Sequence, residues 1–289
     1  MQQVTVRVPA STSNLGPGFD CLGVALSLYN EVTIKSGAGA GGNRMIREAA
    51  KRFFTSLKCK PFPFSCEIRG NVPIGRGLGS SVTVRLGVLC GLNQLARANL
   101  SAVELFKLCA ELEGHPDNAA PATFGGFTLA RATDVQHFNV SSSLHFILLI
   151  PPFEIATTHA RQLLPLAVSH RQAVQNGRNV AAIVAAFARR DYKRLPGCFV
   201  DYLHQPFRKR LMPYLDRAIT AAERAGALGA FLSGSGSAIC AVALENQSKI
   251  ARAMLRASQL PHAHTIVTRA DNRGVRTVKS GMRKKRQVG

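Results

Sequence analysis

The sequence of 289 residues lacks any apolar run near the roughly 18 to 20 residues that a membrane-spanning helix needs. Its first residues, MQQVTVRVPAS, lack the charged start and the apolar core of a secretory signal. None of the seven cysteines forms a CxxC pair, and their odd number argues against a disulfide framework or a zinc site. These absences predict a globular cytoplasmic protein with buried, reduced thiols and no membrane partner.

Acidic residues are also scarce, since 16 Asp and Glu face 37 Lys and Arg and give a formal net charge of +21. A basic surface steers anionic substrates such as nucleotides, or binds nucleic acid without sequence preference. No RNP aromatic pattern, zinc finger or KH signature accompanies the charge. Residues 271–289 are basic with few apolar anchors, which predicts a disordered tail.

The patterning predicts an α+β protein of two domains, because strands come in pairs between helices. Ser101, with Glu104 three residues later, is typical of a capping box that begins a helix ending at Glu113. Further helices are predicted over Asn43–Leu57, Val168–Arg189 and Arg208–Ala225, and the GAGAGG run at 37–42 is predicted to be a flexible hairpin connection. A boundary near Pro151 separates residues 1–150 from 151–270.

The stretch PIGRGLGSSVTVRLG, at 73–87, places three glycines in five residues directly before a helix predicted to start near Ser80. Such a turn aims free N–H groups and the positive end of the helix dipole at one point, which suits a phosphate. The stretch matches neither the Walker pattern, which needs a lysine, nor GxGxxG, since Ser80 replaces the last glycine. A phosphate cradle and a simple capped turn both fit, and in the cradle Ser81 would be a natural Mg²⁺ contact.

Three further clusters stand out: NLGPGFD at 14–20, EGHPDNAAPATFGGF at 113–127 and LSGSGS at 232–237. Each has a structural explanation alone, because Asp and Asn cap turns and short helices. Together with the glycine loop, in this order, they resemble the signatures of the GHMP small-molecule kinases, and HPDN and NLGPGFD resemble the homoserine kinase branch. The resemblance runs from about Val4 to about Thr268.

The resemblance implies the GHMP kinase fold: an N-terminal domain like domain 2 of ribosomal protein S5, with a left-handed βαβ crossover, then a C-terminal ferredoxin-like domain. It implies ATP-dependent phosphorylation of the side-chain hydroxyl of L-homoserine in threonine biosynthesis, by a homodimer. Ser81 and Glu113 would share Mg²⁺, and the helix starting near Asn43 would lie near the adenine. The residues implied around the ATP phosphates are Pro73, Ile74, Gly75, Arg76, Gly77, Leu78, Gly79, Ser80, Ser81, Gly234, Ser235 and Gly236.

The same resemblance implies an amino-acid site. Asp20 would pair with the substrate ammonium, and Asn14 and Asn118 would act as catalytic residues that hold the attacking hydroxyl. Arg161, assisted by Thr158, and Arg208 would bind the carboxylate, with Arg210 as the alternative to Arg208. A guanidinium matches a carboxylate bidentately, so these residue types suit that ligand.

Asn118 has no titratable proton acceptor, so it cannot be a general base. Phosphoryl transfer by in-line positioning and charge neutralisation is the mechanism this implies. Asp117 is a candidate base because it is next to Asn118, but a structural role is favoured for it. His115 is expected to shape the loop in which both residues lie.

Three features depart from the family pattern. Ser237 replaces a proline, VTV at 82–84 is bulkier than the alanines that usually follow GLGSS, and Arg85 lies on the helix that begins near Ser80. Two alternatives stay open. One is another GHMP kinase with a different alcohol substrate. The other is a basic RNA-binding protein with a residual kinase site.

Overall fold

Two antiparallel sheets organise the computed structural model, which describes residues 2–37, 39, 42–131 and 134–278. The strands are β1 (Gln3–Ser13), β2 (Leu22–Ser36), β3 (Phe64–Gly70), β4 (Phe127–Arg131), β5 (Asp134–Phe138), β6 (His145–Ile150), β7 (Gly229–Leu232), β8 (Ile239–Ala243), β9 (His264–Arg269) and β10 (Arg276–Val278). The helices are α1 (Arg44–Leu57), α2 (Ser80–Ala96), α3 (Ala102–Glu113), α4 (Ala119–Phe124), α5 (Thr157–Gln162), α6 (His170–Arg189), α7 (Gln205–Arg208), α8 (Leu215–Arg224) and α9 (Gln247–Ser258).

The first sheet has the order β10-β1-β2-β4-β5, with β3 also paired to β2. Its two long strands, β1 and β2, are rich in β-branched residues that suit a half-buried strand. The β1–β2 register shifts between Pro9 and Ala10, because proline cannot donate a ladder hydrogen bond. Beyond this shift every residue of β1 to Ser13 is buried, and the hydroxyl-bearing end of the strand lies in the interior.

Helix α2 packs on β2 through small residues. A Cβ added to Gly87 would lie 2.4 Å from a methyl carbon of Val32, and one added to Gly91 would lie 2.5 Å from Ile34. This close contact fixes α2 against the sheet, and its N-terminus therefore lies at a defined place beside the buried end of β1.

The second sheet has the order β7-β8-β6-β9, and all neighbouring strands are antiparallel. Along the chain β6, β7, β8, α9 and β9 follow one another, with helices between β6 and β7. This is the strand order of a ferredoxin-like domain, so the two-sheet α+β fold that the resemblance implied is confirmed. Its left-handed crossover stays a prediction.

Several predicted boundaries differ from the structure. The expected helix over Arg208–Ala225 is interrupted between α7 and α8, because Pro213 lacks the N–H that a continuous helix needs. The boundary near Pro151 falls too late, since β6 already belongs to the second sheet. Residues 271–278 are not a disordered tail, because β10 pairs with β1.

Residues 279–289 and three of the six residues of the GAGAGG run lie outside the described residues. All seven cysteines are free thiols, and Cys59 is exposed, contrary to the expectation of buried thiols throughout. No helix within the described residues is both long and apolar enough to cross a membrane.

Candidate active site

A cavity of about 500 Å³ lies where the four sequence clusters meet. Its walls come from the 14–20 loop, the glycine loop with the start of α2, the end of α3 with the loop after it, α5, α7 and the 232–237 loop. These segments are far apart in the sequence. The fold therefore brings all four clusters to one place.

The glycine loop reaches α2 through three left-handed positions, Gly75, Gly77 and Gly79, with φ of 63°, 69° and 64°. A Cβ on Gly77 would lie 2.0 Å from the carbonyl oxygen of Ser233, so glycine is required for this approach. Gly79 is the N-cap of α2 and offers no side-chain cap. The first N–H groups of α2 thus have no capping side chain and face the cavity, as a phosphate site requires.

Most of the predicted phosphate residues line this cavity, but Pro73, Arg76 and Gly236 are not among the described residues that line it. The Arg76 guanidinium instead donates to the carbonyls of Pro151 and Ile74, both at 2.8 Å. The predicted residues that do line it are Ile74, Gly75, Gly77, Leu78, Gly79, Ser80, Ser81, Gly234 and Ser235. Ser237 is buried behind the loop and donates to the Phe153 carbonyl at 2.6 Å, so its replacement of proline removes no cavity residue.

Ser81 and Glu113 meet at the end of the cavity. The Ser81 hydroxyl donates to Glu113 Oε2 at 2.8 Å, while Arg85 donates to Glu113 Oε1 at 2.7 Å. Helix α3 ends at Gly114, whose φ of 79° turns the chain away directly after this carboxylate. A hydroxyl and a carboxylate are hard oxygen donors of the kind that Mg²⁺ takes in nucleotide sites, so the pair fits that ion.

Asn118 is held from both sides by the buried end of β1. Its Oδ1 accepts from the Ser11 hydroxyl at 2.8 Å, and its Nδ2 donates to the Ser13 hydroxyl at 2.9 Å. The side-chain amide is therefore fixed in orientation. The sequence reasoning missed Ser11 and Ser13, although the run of hydroxyl residues directly before Asn14 was a visible signal.

His115 and Asp117 form a hydrogen-bonded pair, with 2.5 Å between Nδ1 and Oδ1, which is an ion pair when His115 is protonated. Burial lowers the pKa of His115, but the hydrogen bond and charge of Asp117 outweigh it and leave that pKa above its ordinary value. Burial likewise raises the pKa of Asp117, but His115 outweighs this and leaves the pKa of Asp117 lowered. A carboxylate so engaged with His115 is a weak base, which agrees with a structural role for both residues.

Asn14 and Asp20 lie on the NLGPGFD loop with left-handed φ of 70° and 58°. Asn14 Nδ2 donates to the Gly234 carbonyl at 3.0 Å, and its Oδ1 accepts from the Asp20 backbone N–H at 3.1 Å. The Asp20 carboxylate is bound by the two terminal nitrogens of Arg161, at 2.6 and 3.0 Å. Two residues predicted to bind opposite charges of one ligand thus bind each other.

Arg208 is 1% exposed and has no carboxylate partner among the described residues. Its guanidinium donates to the Gly234 carbonyl at 3.0 Å and lies 5.1 Å from the centre of the Phe19 ring, which Arg161 also approaches at 5.3 Å. Burial, and then the positive charge of Arg161, lowers the pKa of Arg208 to about 10. A buried cation without a counter-charge at a cavity wall is suited to an anionic ligand.

His204 holds Arg208 and the NLGPGFD loop together, and the sequence reasoning missed it. Its Nε2 donates to the Gly16 carbonyl at 2.8 Å, while Nδ1 lies 3.3 Å from a guanidinium nitrogen of Arg208. Burial lowers the pKa of His204 to about 4, so the imidazole is neutral and Nδ1 accepts from Arg208.

One predicted position needs correction, and one choice between two arginines can be compared with the structure. Thr158 is exposed and is not among the described lining residues; Thr157 lines the cavity, because residues four apart on α5 share a face with Arg161. Arg210 is exposed, so the choice of Arg208 over Arg210 agrees with the structure. Met45, at the start of α1, also lines the cavity, on the helix predicted to lie near the adenine.

Comparison with known proteins agrees with this geometry. The model of the GHMP kinase N-terminal domain matches residues 44–126, and that of the GHMP kinase C-terminal domain matches residues 182–259. The homoserine kinase of Caldicellulosiruptor bescii is 34% identical over 94% of this chain and 95% of its own. That of Moorella thermoacetica is 38% identical over 87% of this chain and 91% of its own.

This chain belongs to the homoserine kinase family of GHMP kinases. Among solved structures of this family, the homoserine kinase of Cytophaga hutchinsonii superposes with a TM-score of 0.85, at 28% identity, and covers 96% of this chain and 98% of that one. A mevalonate kinase of Methanococcus jannaschii superposes with a TM-score of 0.70 at 16% identity, over 93% of this chain and 98% of that one. The latter likeness shows the fold that the homoserine kinase family shares with other GHMP kinases.

Proposed function

We propose that this protein transfers the γ-phosphoryl group of ATP to the side-chain hydroxyl of L-homoserine and forms O-phospho-L-homoserine and ADP. Family membership supports the kinase reaction, and the relatives with which the chain shares most of its length are homoserine kinases. The observation that carries the choice of an amino acid is the set of Asp20, Arg161 and Arg208 on one cavity wall.

This set offers one carboxylate for an ammonium group and two guanidiniums for a carboxylate. A zwitterionic amino acid presents both groups, whereas mevalonate has no ammonium to pair with Asp20. We therefore place the amino acid head group beside these three residues. Its side-chain hydroxyl then extends toward Asn14, Asn118 and the glycine loop.

The phosphate groups of ATP would lie at Gly75–Ser81 and the start of α2, where uncapped backbone N–H groups face the cavity. Ser81 and Glu113 would hold Mg²⁺, which when bound neutralises charge on the transferred phosphoryl group and its neighbours. Gly234 and Ser235, from the 232–237 loop, line the same cavity as the glycine loop.

Asn118 and Asn14 would orient the attacking hydroxyl, because their amides are already fixed by Ser11, Ser13 and the Gly234 carbonyl. Neither amide accepts a proton, so the hydroxyl proton passes to an oxygen of the transferred phosphoryl group as the new bond to phosphorus forms and the bond to the ADP oxygen breaks. Positioning of this kind supplies a large share of catalysis when the reacting atoms are held in line.

The assay that tests this function follows ADP release from purified protein with Mg-ATP and, in parallel, L-homoserine, L-serine, L-threonine or mevalonate. Turnover is expected on homoserine, and Arg161→Leu is expected to remove most of it. The absence of turnover on every alcohol, together with RNA binding that weakens steeply with salt, would contradict the kinase function.

We also propose a homodimer in the cytoplasm, by analogy with the family rather than from any contact in the chain. Size-exclusion chromatography with light scattering distinguishes a dimer of 31.1 kDa chains from a monomer.

A further inference from the structure

Arg85 lies one helical turn after Ser81 on α2 and reaches the carboxylate proposed to bind Mg²⁺. One terminal nitrogen donates to Glu113 Oε1 and to the Leu112 carbonyl, each at 2.7 Å. The Arg85 and Glu113 side chains are 17% and 7% exposed, so water screens this ion pair little. Arg85 Nε is buried and has no hydrogen-bond partner among the described residues, so the two terminal nitrogens make the polar contacts of this guanidinium.

The two oxygens of Glu113 are used differently. Oε1 is bound by the charged Arg85, whereas Oε2 accepts from the Ser81 hydroxyl, which rotates freely and has lone pairs of its own. A cation can therefore take Oε2 and Ser81 Oγ without displacing a charged group. Arg85 stays on Oε1.

The charges around Arg85 cancel. Its second terminal nitrogen lies 3.5 Å from Glu48 Oε2, and Glu48 is paired in turn with Arg44 at 2.7 Å. Two carboxylates and two guanidiniums thus form a series of ion pairs, in which Glu113 is the member that contacts Ser81. A divalent cation that approaches Ser81 and Glu113 therefore meets hard oxygen donors whose negative charge Arg85 already balances.

We propose that Arg85 cancels the charge of Glu113 in the nucleotide-free protein, so that a divalent cation binds the Ser81–Glu113 donors only together with a nucleotide. The nucleotide phosphates supply the negative charge that Arg85 has removed from the site. The inference rests on the proposed function, because it takes Ser81 and Glu113 as the cation ligands. Arg85 is a positioning residue in this account and touches neither substrate nor cation.

The test measures the binding of Mn²⁺ to nucleotide-free protein. Binding is detected in electron paramagnetic resonance as a loss of the signal of the free ion. The wild-type protein is expected to bind Mn²⁺ weakly alone and strongly with ADP. Arg85→Leu is expected to bind Mn²⁺ without nucleotide about tenfold tighter or more than wild type, because a unit charge next to a ligand oxygen is removed. The double variant Arg85→Leu with Glu113→Gln is expected to lose this gain.

Arg52→Leu is the matched control. Arg52 of α1 pairs with Glu111 of α3 at 2.6 Å, but neither residue is among the described lining residues. This variant makes the same change in net charge and is expected to leave Mn²⁺ binding unchanged. Arg85→Lys keeps the charge and is expected to bind Mn²⁺ as wild type does. If Arg85→Leu does not fold, Arg85→Gln, which is neutral but keeps a hydrogen-bond donor, replaces it.

Mn²⁺ affinity of the neutral Arg85 variant within twofold of wild type would overturn the proposal. A gain in Mn²⁺ affinity that persists in the double variant with Glu113→Gln would also overturn it, since Mn²⁺ would then bind elsewhere. Wild-type protein that binds Mn²⁺ equally tightly with and without ADP would overturn it as well. The measurement needs no homoserine turnover, so its failure is distinguishable from failure of the proposed function.

Discussion

Asp20 and Arg161 form a bidentate ion pair across the mouth of the cavity, with N–O distances of 2.6 and 3.0 Å. The two residues come from segments 141 positions apart in the sequence. Each residue balances the charge of the other, and a zwitterionic ligand offers both a replacement cation for Asp20 and a replacement anion for Arg161. A ligand with only one charge would leave Asp20 or Arg161 without a full partner.

Arg161→Leu is expected to raise the KM for homoserine by about thirtyfold or more, because it removes a carboxylate contact and also leaves Asp20 without its partner. Arg161→Lys keeps the charge but loses the planar fork, so an intermediate KM is expected. Steady-state kinetics with homoserine varied at saturating ATP measure both. A KM for Arg161→Leu within twofold of wild type would show that Arg161 does not bind the substrate.

Asn118→Ala is expected to lower kcat by about a hundredfold, because the substrate hydroxyl loses a fixed hydrogen-bonding partner and drifts from the in-line position. Since Asn118 does not titrate, the shape of the pH dependence of kcat is expected to stay the same. Ser13→Ala, which removes one of the two hydroxyls that hold Asn118, is expected to have a smaller effect in the same direction. A kcat for Asn118→Ala equal to wild type is the result against this role.

The His115–Asp117 pair is expected to show in the titration of His115, followed by NMR. Its pKa in the folded protein should lie above the ordinary value of 6.5, and Asp117→Asn should bring it below that value, because burial then acts without the opposing charge. The raised pKa of His115 therefore contributes stability that is fully present below pH 6.5 and is lost as the pH rises through the folded-state pKa, whereas the lowered pKa of Asp117 contributes stability that is lost in acid, as Asp117 becomes protonated. An unchanged His115 pKa in Asp117→Asn would contradict the ion pair.

The titration of His204 is expected to change stability with pH in the direction opposite to that of His115. Burial lowers its pKa from 6.5 to about 4, so the unfolded chain binds a proton that the folded protein does not, and stability falls as the pH drops from 6.5 to about 4. His204→Gln removes this titration, so its free energy of unfolding should change less between pH 7 and pH 5 than that of wild type. Denaturant unfolding at the two pH values measures the difference. Equal changes in the two proteins would show that His204 is not buried in its neutral form.

Much of the local structure follows from the sequence. The capping box at Ser101 and Glu104 forms as predicted and begins α3, and α2 begins at Ser80, directly after the last glycine of the loop. The prediction of one helix over 208–225 was wrong, because Pro213 interrupts the helical pattern there. Local rules also failed where pairing was not local, as for β10, whose partner β1 lies at the other end of the chain.

The site was predictable only in part, because motifs identify residues and not their partners. The clusters named Asp20, Glu113 and Asn118, and the family resemblance named Arg208, but the mutual pairing of Asp20 with Arg161 depends on how two domains pack. The support of Asn118 by Ser11 depends likewise on the register of β1 against the HPDN loop. The choice between Thr157 and Thr158 was different, since helical spacing relative to Arg161 was already visible in the sequence.

Phosphorylation of homoserine can be observed directly by ³¹P NMR of the products formed from Mg-ATP and L-homoserine. We predict a phosphomonoester resonance that couples to the side-chain methylene protons of homoserine and grows in equal amount to ADP. Arg208→Leu should suppress both signals together, because Arg208 is the buried cation left for the substrate carboxylate. ATP consumption that yields only inorganic phosphate, or no consumption at all, would contradict the account.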